Sequence, residues 1–99
     1  MIGGTHPQEA SLQDRLHDIE HEVRAFISDN FILPDQELGR DDSLTRSGIL
    51  DSMGVLELIM FIEERFAAKV PDEDAVPENL DSVARIVRYV AARRIPTDG

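Results

Sequence analysis

The chain is organised around one stretch, Gly48-Ile49-Leu50-Asp51-Ser52-Met53-Gly54-Val55-Leu56-Glu57-Leu58. After Asp51-Ser52, apolar residues recur with the spacing of a buried helical stripe: Val55, Leu58, Ile59, Ile62 and Phe66. This pattern predicts a helix over residues 52–66. Backbone N–H groups lack partners in the first turn of a helix, where the dipole is also positive. We therefore expect the Ser52 hydroxyl to be well placed to carry a phosphate group.

Apart from Phe61, which falls on neither face, three apolar residues of the same helix lie outside its buried stripe: Met53, Leu56 and Met60. We call these three residues the docking strip. Their spacing places them together on another face of the helix. Three glutamates border that face: Glu57, Glu63 and Glu64. Because an exposed apolar surface with a polar rim is typical of a partner site, we predict a docking surface here, with Asp51 at its edge.

The rest of the chain predicts an all-α domain over residues 11–95, between a disordered tail (1–10) and a C-terminal tail (96–99). A first helix over 11–28, with Ser11 as its N-cap, has a predicted buried stripe of Leu12, Leu16, Ile19, Val23, Phe26 and Ile27. Two prolines limit residues 70–77 to a turn or one short helical turn. A last helix is capped by Ser82 or Asp81 and is expected to bury Val83, Ile86, Val87 and Val90.

A long segment without helical periodicity, residues 30–50, precedes the central helix. Pro34, Gly39 and Gly48 interrupt it. Six apolar side chains are expected to fix this loop to the core: Phe31, Ile32, Leu33, Leu44, Ile49 and Leu50.

The composition excludes several classes of function. The formal net charge is −10, which argues against binding to nucleic acid and favours basic partner surfaces. Ten of the acidic residues lie between Asp41 and Glu78, around the marked serine. The chain has no cysteine, so any thiol chemistry must come from a cofactor. It has no secretory signal or membrane-spanning apolar run, so a cytoplasmic location is expected.

Two enzymatic alternatives depend on histidine. The run His17-Asp18-Ile19-Glu20-His21 matches the H-x-x-E-H pattern of a metallopeptidase group. It lies on the predicted polar face of the first helix, where no further ligand and no cleft are evident, so we expect no metal site. A serine hydrolase at Ser52 would need a nucleophile elbow, which the sequence lacks. A third alternative is a helical interaction module without a cofactor, which would have no use for Ser52.

Residues Gly48 to Leu58, taken with Val70-Pro71-Asp72-Glu73, resemble the acyl carrier proteins. The resemblance implies a four-helix bundle with a long loop between helices 1 and 2 and a short third helix. It also implies that Ser52 carries a covalent 4′-phosphopantetheine arm derived from coenzyme A, and that the domain has no catalytic residues of its own. The implied partners are a phosphopantetheinyl transferase, an acyl- or amino-acid-activating ligase, and a downstream acyl or aminoacyl transferase or synthase. A monomer is expected.

The cargo is the least determined property. Asp51-Ser52-Met53-Gly54 is more similar to D-alanyl, aminoacyl and peptidyl carriers than to fatty-acid carriers, which usually have a polar residue where Gly54 stands. The sequence therefore favours an aminoacyl cargo over a fatty or polyketide one. Since glycine in a helix costs about 1 kcal/mol relative to alanine, we expect Gly54 to allow close approach by a partner or by the arm.

Overall fold

The computed structural model describes residues 12–31 and 38–94, and this part of the chain is all-helical. It contains four α-helices: α1 (Leu12–Asn30), α2 (Ser52–Phe66), α3 (Pro77–Leu80) and α4 (Val83–Arg94). A single 3-10 turn (Asp72–Asp74) lies between α2 and α3. The predicted bundle, with its long loop before α2 and its short third helix, is confirmed. The predicted terminal tails lie outside the described residues.

All four helices and the loop before α2 contribute to one apolar core. Its buried side chains are Ile19, Val23 and Ile27 of α1, Leu58, Ile62 and Phe66 of α2, Leu80 of α3, and Val83, Ile86, Val87, Val90 and Ala91 of α4, together with Leu44, Ile49, Leu50 and Val70. The helix α4 lies at the centre of the packing, because α1, α2 and α3 all contact it. The four inward residues predicted for α4 are all buried.

The first helix differs from its prediction at both ends. It continues past Ser28 to Asn30, whose side-chain amide donates to the Phe26 carbonyl oxygen at 2.8 Å and so satisfies an acceptor in the last turn. The prediction that Leu12 is buried is wrong. Its side chain is 57% exposed, because the core of the bundle begins further along the helix at Leu16 and Ile19. The predicted N-cap, Ser11, lies outside the described residues.

An aromatic cluster joins α1 to α2. Phe26 stacks on Phe61, with ring centroids 4.2 Å apart and an interplanar angle of 14°. Phe31 packs edge-on against Phe26, and Phe66 packs edge-on against Phe61. Phe61 lies on neither apolar face recognised in the sequence, and this contact explains it.

A bidentate ion pair holds the same two helices together on their exposed side. Arg65 donates from Nε to Glu22 Oε1 at 2.9 Å and from Nη2 to Glu22 Oε2 at 2.8 Å. The guanidinium of Arg65 lowers the pKa of the Glu22 carboxyl below its ordinary value. Paired parallel hydrogen bonds fix the orientation of both groups, so this contact and the aromatic cluster set how α2 lies against α1.

The turn after α2 is tied to α4 through Asp74. The Tyr89 hydroxyl of α4 donates to Asp74 Oδ2 at 2.8 Å, and the Arg93 guanidinium lies 3.5 Å from the same oxygen. Burial and the hydrogen bond to the Asp74 carboxylate raise the pKa of Tyr89 to about 12. The turn is therefore held against the last helix by polar contacts as well as by the core.

No helix of the described chain is long and apolar enough to cross a membrane.

Candidate functional site

The start of α2 is built around Asp51. This residue is the N-cap, with extended backbone angles, and its Oδ1 accepts a hydrogen bond from the Gly54 N–H at 2.8 Å. Its carbonyl oxygen accepts the first helical hydrogen bond, from the Val55 N–H at 2.9 Å. Ser52 follows as the first residue of the helix and is exposed. Among the described residues, its hydroxyl has no hydrogen-bond partner, so it is free to react.

The loop before Asp51 is anchored by its own backbone. Leu44 is fully buried, and its carbonyl oxygen accepts hydrogen bonds from the N–H groups of Ile49 and Leu50, both at 3.0 Å. This tight return requires Gly48, whose φ of 83° lies in the left-handed region that glycine adopts without strain. The predicted anchors Leu44, Ile49 and Leu50 are confirmed, Phe31 is half-buried, and Ile32 and Leu33 lie outside the described residues.

Contacts with the beginning of α4 hold the loop from the other side. The Leu44 N–H donates to the Asp81 carbonyl oxygen, and the Ala84 N–H donates to the Arg40 carbonyl oxygen, both at 2.9 Å. The Asp81 carboxylate also accepts hydrogen bonds from the Ser43 hydroxyl and, at 2.9 Å, from the Thr45 N–H. Ser82 rather than Asp81 caps α4, since its Oγ accepts from the Arg85 N–H at 3.1 Å. Asp81 is thereby left free to bind the loop.

Asp81 makes the stability of the loop anchor dependent on pH. Burial alone would raise the pKa of Asp81, but the hydrogen bonds from Ser43 and Thr45 and the charge of Arg85 lower it below its ordinary value of 3.8. Because the pKa of Asp81 is lower in the folded state, its carboxylate stabilises the fold at pH values above the ordinary pKa of 3.8. The contribution is lost as the pH falls through the folded-state pKa.

We therefore expect Asp81→Asn to lower the free energy of unfolding by about 1 kcal/mol at neutral pH and to weaken its dependence on acid pH. Urea unfolding at several pH values measures both effects. Asp72→Asn is the matched control, since Asp72 is exposed and its side chain binds no loop residue in the described chain. Equal losses in the two variants would contradict the role assigned to Asp81.

Gly54 is buried inside the domain, contrary to the expectation that it allows a partner or the arm to approach. A Cβ atom at this position would lie 3.1 Å from Phe31 Cε1 and 3.1 Å from Leu50 Cδ2. The close packing of Phe31 and Leu50 against this position therefore explains why a residue without a side chain stands here, and no external molecule is needed to explain it. The sequence contains the other half of this contact, Phe31, directly after α1. The two residues are far apart in the sequence, so local patterns do not reveal that they meet.

The docking strip is exposed as predicted. Met53, Leu56 and Met60 are 64%, 54% and 60% exposed. Two of the bordering glutamates, Glu57 and Glu64, are exposed as well. Glu63 differs, because it is half-buried and its Oε2 accepts a hydrogen bond from the Val70 N–H at 2.9 Å. Glu63 thus pairs a backbone N–H just beyond the end of α2. The acidic residues that border the docking strip and remain exposed are Glu57 and Glu64.

A small apolar cavity opens beside the first turn of α2. Its volume is about 150 Å³, and its lining is mostly apolar, with two polar residues, Thr45 and Asp81, beside Leu50, Val55, Ala75, Val76, Pro77 and Leu80. Leu50 and Val55 lie on either side of Ser52 in the sequence. The cavity is therefore near the root of any group attached to that serine. Sequence periodicity could not have shown it, because the turn and α3 supply most of its wall.

His17 and His21 both lie on the exposed face of α1. Within residues 12–31 and 38–94, no group of three or more histidine or carboxylate side chains comes together to hold a metal ion. The metallopeptidase alternative thus finds no third ligand in this part of the chain.

Comparisons with known proteins agree on one family. Residues 21–90 match the family model described as a phosphopantetheine attachment site. The acyl carrier protein of Akkermansia muciniphila is 36% identical over 74 residues, which cover 75% of this chain and 90% of that protein. The acyl carrier protein of Chlamydia trachomatis serovar D is 32% identical over 76 residues, covering 77% and 96%.

A helical domain with a phosphopantetheine attachment site is a carrier domain, and this chain belongs to the acyl carrier protein family. Acyl carrier proteins carry groups for other enzymes and are not themselves catalysts. The cofactor that goes with the attachment site is covalently attached 4′-phosphopantetheine.

Proposed function

We propose that Ser52 is the residue that carries the 4′-phosphopantetheine arm, and that the arm holds acyl groups as thioesters. One observation carries the proposal: Ser52 is exposed at the first turn of α2, directly after the capping residue Asp51 and next to the docking strip. The residues fit the cofactor. An exposed hydroxyl can be esterified, and a phosphodiester at this position lies in the positive field of the helix N-terminus.

The chemistry places one demand on the carrier. Ser52 Oγ forms a bond to the phosphorus atom next to pantetheine in coenzyme A, while the bond from that phosphorus to the adenosine bisphosphate breaks. The serine proton leaves to a base, and adenosine bisphosphate departs with the electron pair of the broken bond. No basic side chain contacts Ser52 in the described chain, so we assign the base to the transferase. What this chain supplies is an accessible hydroxyl held in a fixed position.

The docking strip is the proposed contact for these enzymes. A transferase, a ligase or a downstream acyltransferase must each bind near the root of the arm, and the strip shares α2 with Ser52. Tethering raises the effective concentration of the cargo at each partner, which is the benefit of covalent carriage. Glu57 and Glu64 suit partners with basic surfaces.

For the cargo, we propose an apolar acyl chain. An apolar cavity of roughly 150 Å³ holds a benzene-sized molecule in other proteins, so the cavity beside Val55 has room for about six carbons. Thr45 and Asp81 also line the cavity, but the Asp81 carboxylate already accepts hydrogen bonds from the Ser43 hydroxyl and the Thr45 N–H. A charged α-amino group would have to compete with these bonds, and its burial without a partner is unfavourable. The aminoacyl preference, which rests on the similarity of Asp51-Ser52-Met53-Gly54 to aminoacyl and peptidyl carriers, stays a prediction.

We expect a hexanoyl group on the arm to stabilise the domain and an alanyl group to have little effect. Both forms can be made with a broad transferase and acylated coenzyme A. The measurement is the change in melting temperature relative to the unacylated arm, with NMR shift changes at Val55, Ala75 and Leu80. Stabilisation by the alanyl form alone would favour the aminoacyl cargo instead.

Intact mass after incubation with a transferase and coenzyme A tests the carrier role itself. It also separates the carrier from a cofactor-free interaction module, which would gain no mass.

A further inference from the structure

Gly54 and Phe31 form a contact that any side chain at position 54 would tighten. A Cβ at Gly54 would lie 3.1 Å from Phe31 Cε1, closer than side chains ordinarily pack. It would also lie 3.3 Å from Asp51 Oδ1, the atom that accepts the Gly54 N–H. Any side chain here would therefore press on the Phe31 ring and on the N-cap of α2 together.

The surroundings of this contact restrain it on two sides, although Phe31 itself is half-buried. The Phe31 ring packs edge-on against Phe26 at 5.7 Å, and Phe26 is itself stacked on Phe61. On the other side, Leu50 is buried and its N–H is bonded to the Leu44 carbonyl oxygen. A displacement caused at position 54 would consequently be passed to Asp51 and the start of α2, where Ser52 lies.

We propose that the contact between Phe31 and Gly54 is a positioning device that fixes the Ser52 hydroxyl relative to the docking strip. The inference rests on the proposed role of Ser52 as the attachment site. Leu56 and Met60 lie further along α2, away from the crowded first turn. Met53 shares the first turn with Ser52, but a change at Gly54 moves the reacting hydroxyl while leaving Leu56 and Met60 of the docking strip in place. Misplacement of a reacting group by about 1 Å can slow a reaction by roughly a hundredfold.

The test is the kinetics of phosphopantetheinyl transfer to purified Gly54→Ala with a fixed transferase and coenzyme A. We expect kcat to fall by about tenfold while KM for the carrier stays within about twofold, because docking is preserved. We also expect faster hydrogen exchange at the amide of residue 54, since its bond to Asp51 is disturbed. Alanine is the better helix former, so a general loss of helix is not the expected cause.

A second substitution separates positioning from plain packing. Phe31→Leu shortens the side chain that meets the added Cβ. We expect kcat of the double variant to exceed that of Gly54→Ala, although Phe31→Leu alone also lowers kcat. Ile62→Val is the matched control: it disturbs the buried face of α2 away from the first turn, and it should leave kcat and KM unchanged.

The outcomes distinguish the inference from the function on which it rests. Unchanged kcat in Gly54→Ala, or an equal loss in Ile62→Val, would overturn the positioning role while Ser52 is still loaded. A rise in KM for the carrier with kcat unchanged would overturn it too. If Gly54→Ala does not fold, Phe31→Leu is the deciding variant. A lower kcat with KM unchanged supports the positioning role, and an unchanged kcat overturns it. Failure of the unsubstituted chain to gain the arm would instead contradict the proposed function.

Discussion

Ser52→Ala is expected to abolish modification completely, whereas the unsubstituted chain gains the mass of one phosphopantetheinyl group. The reason is chemical. The phosphodiester needs a hydroxyl oxygen, and alanine offers none. The structure adds a reason for selectivity: Ser52 is exposed in the first turn of α2 with its hydroxyl unengaged among the described residues. Intact-mass measurement after exposure to a broad transferase and coenzyme A gives the result directly.

The neighbouring serines supply the control. Ser47 is also exposed and lies in the loop before α2, but its hydroxyl donates to the Leu44 carbonyl oxygen at 3.2 Å. Ser43 is engaged with the Asp81 carboxylate. Ser47→Ala should therefore be modified to completion. An arm that persists in Ser52→Ala would show that another residue is the acceptor and would overturn the assignment of the site.

Truncation of the docking strip is expected to have the second largest effect. Leu56→Ala or Met60→Ala should weaken binding to a transferase or loading enzyme by about tenfold, mostly through a faster off-rate. An apolar side chain desolvated at the centre of a contact typically contributes 1 kcal/mol or more, and about 1.4 kcal/mol is tenfold in affinity. Surface plasmon resonance with the immobilised partner separates the two rates.

The chain offers a matched control in Leu12, an equally exposed leucine on α1. Leu12→Ala removes a similar apolar surface far from α2 in the sequence and should leave both rates unchanged. Charge reversal of Glu57 or Glu64 should act differently, by slowing association most clearly at low salt. All these residues are exposed, so melting temperatures should change little. Unfolding of Leu56→Ala, or equal effects of Leu12→Ala and Leu56→Ala, would contradict the docking assignment.

The central helix was fully predictable because its signals are local. A capping residue and an apolar stripe with helical spacing define residues 52–66, and the structure places α2 at Ser52–Phe66. The exposure of Met53, Leu56 and Met60 followed from the same periodicity. Leu12 shows the limit of the method. Periodicity identifies the face of a helix, but it does not show how far along that face the neighbouring helices extend.

The parts that the sequence could not predict depend on contacts between distant residues. The hydrogen bonds from Ser43 and Thr45 to Asp81 join a loop to the far end of the chain, and ordinary serine, threonine and aspartate residues give no sign of them. Gly54 was misinterpreted for the same reason, because the ring that covers it belongs to Phe31. Glu63 was grouped with the acidic border, although its carboxylate satisfies the Val70 N–H. Local pattern cannot distinguish a glutamate that faces solvent from one that caps a turn.

The hydrogen bond between Tyr89 and Asp74 gives the protein an internal optical probe. The chain has one tyrosine and no tryptophan, so its near-ultraviolet absorption and fluorescence come mainly from this single ring. The hydroxyl of that ring is bonded to the residue directly before Ala75 and Val76, which form part of the cavity wall. We therefore expect its emission to respond, without any label, to a change in the contact between this wall and α4. If an acyl chain occupies the cavity as proposed, its entry should change the emission of this one native side chain.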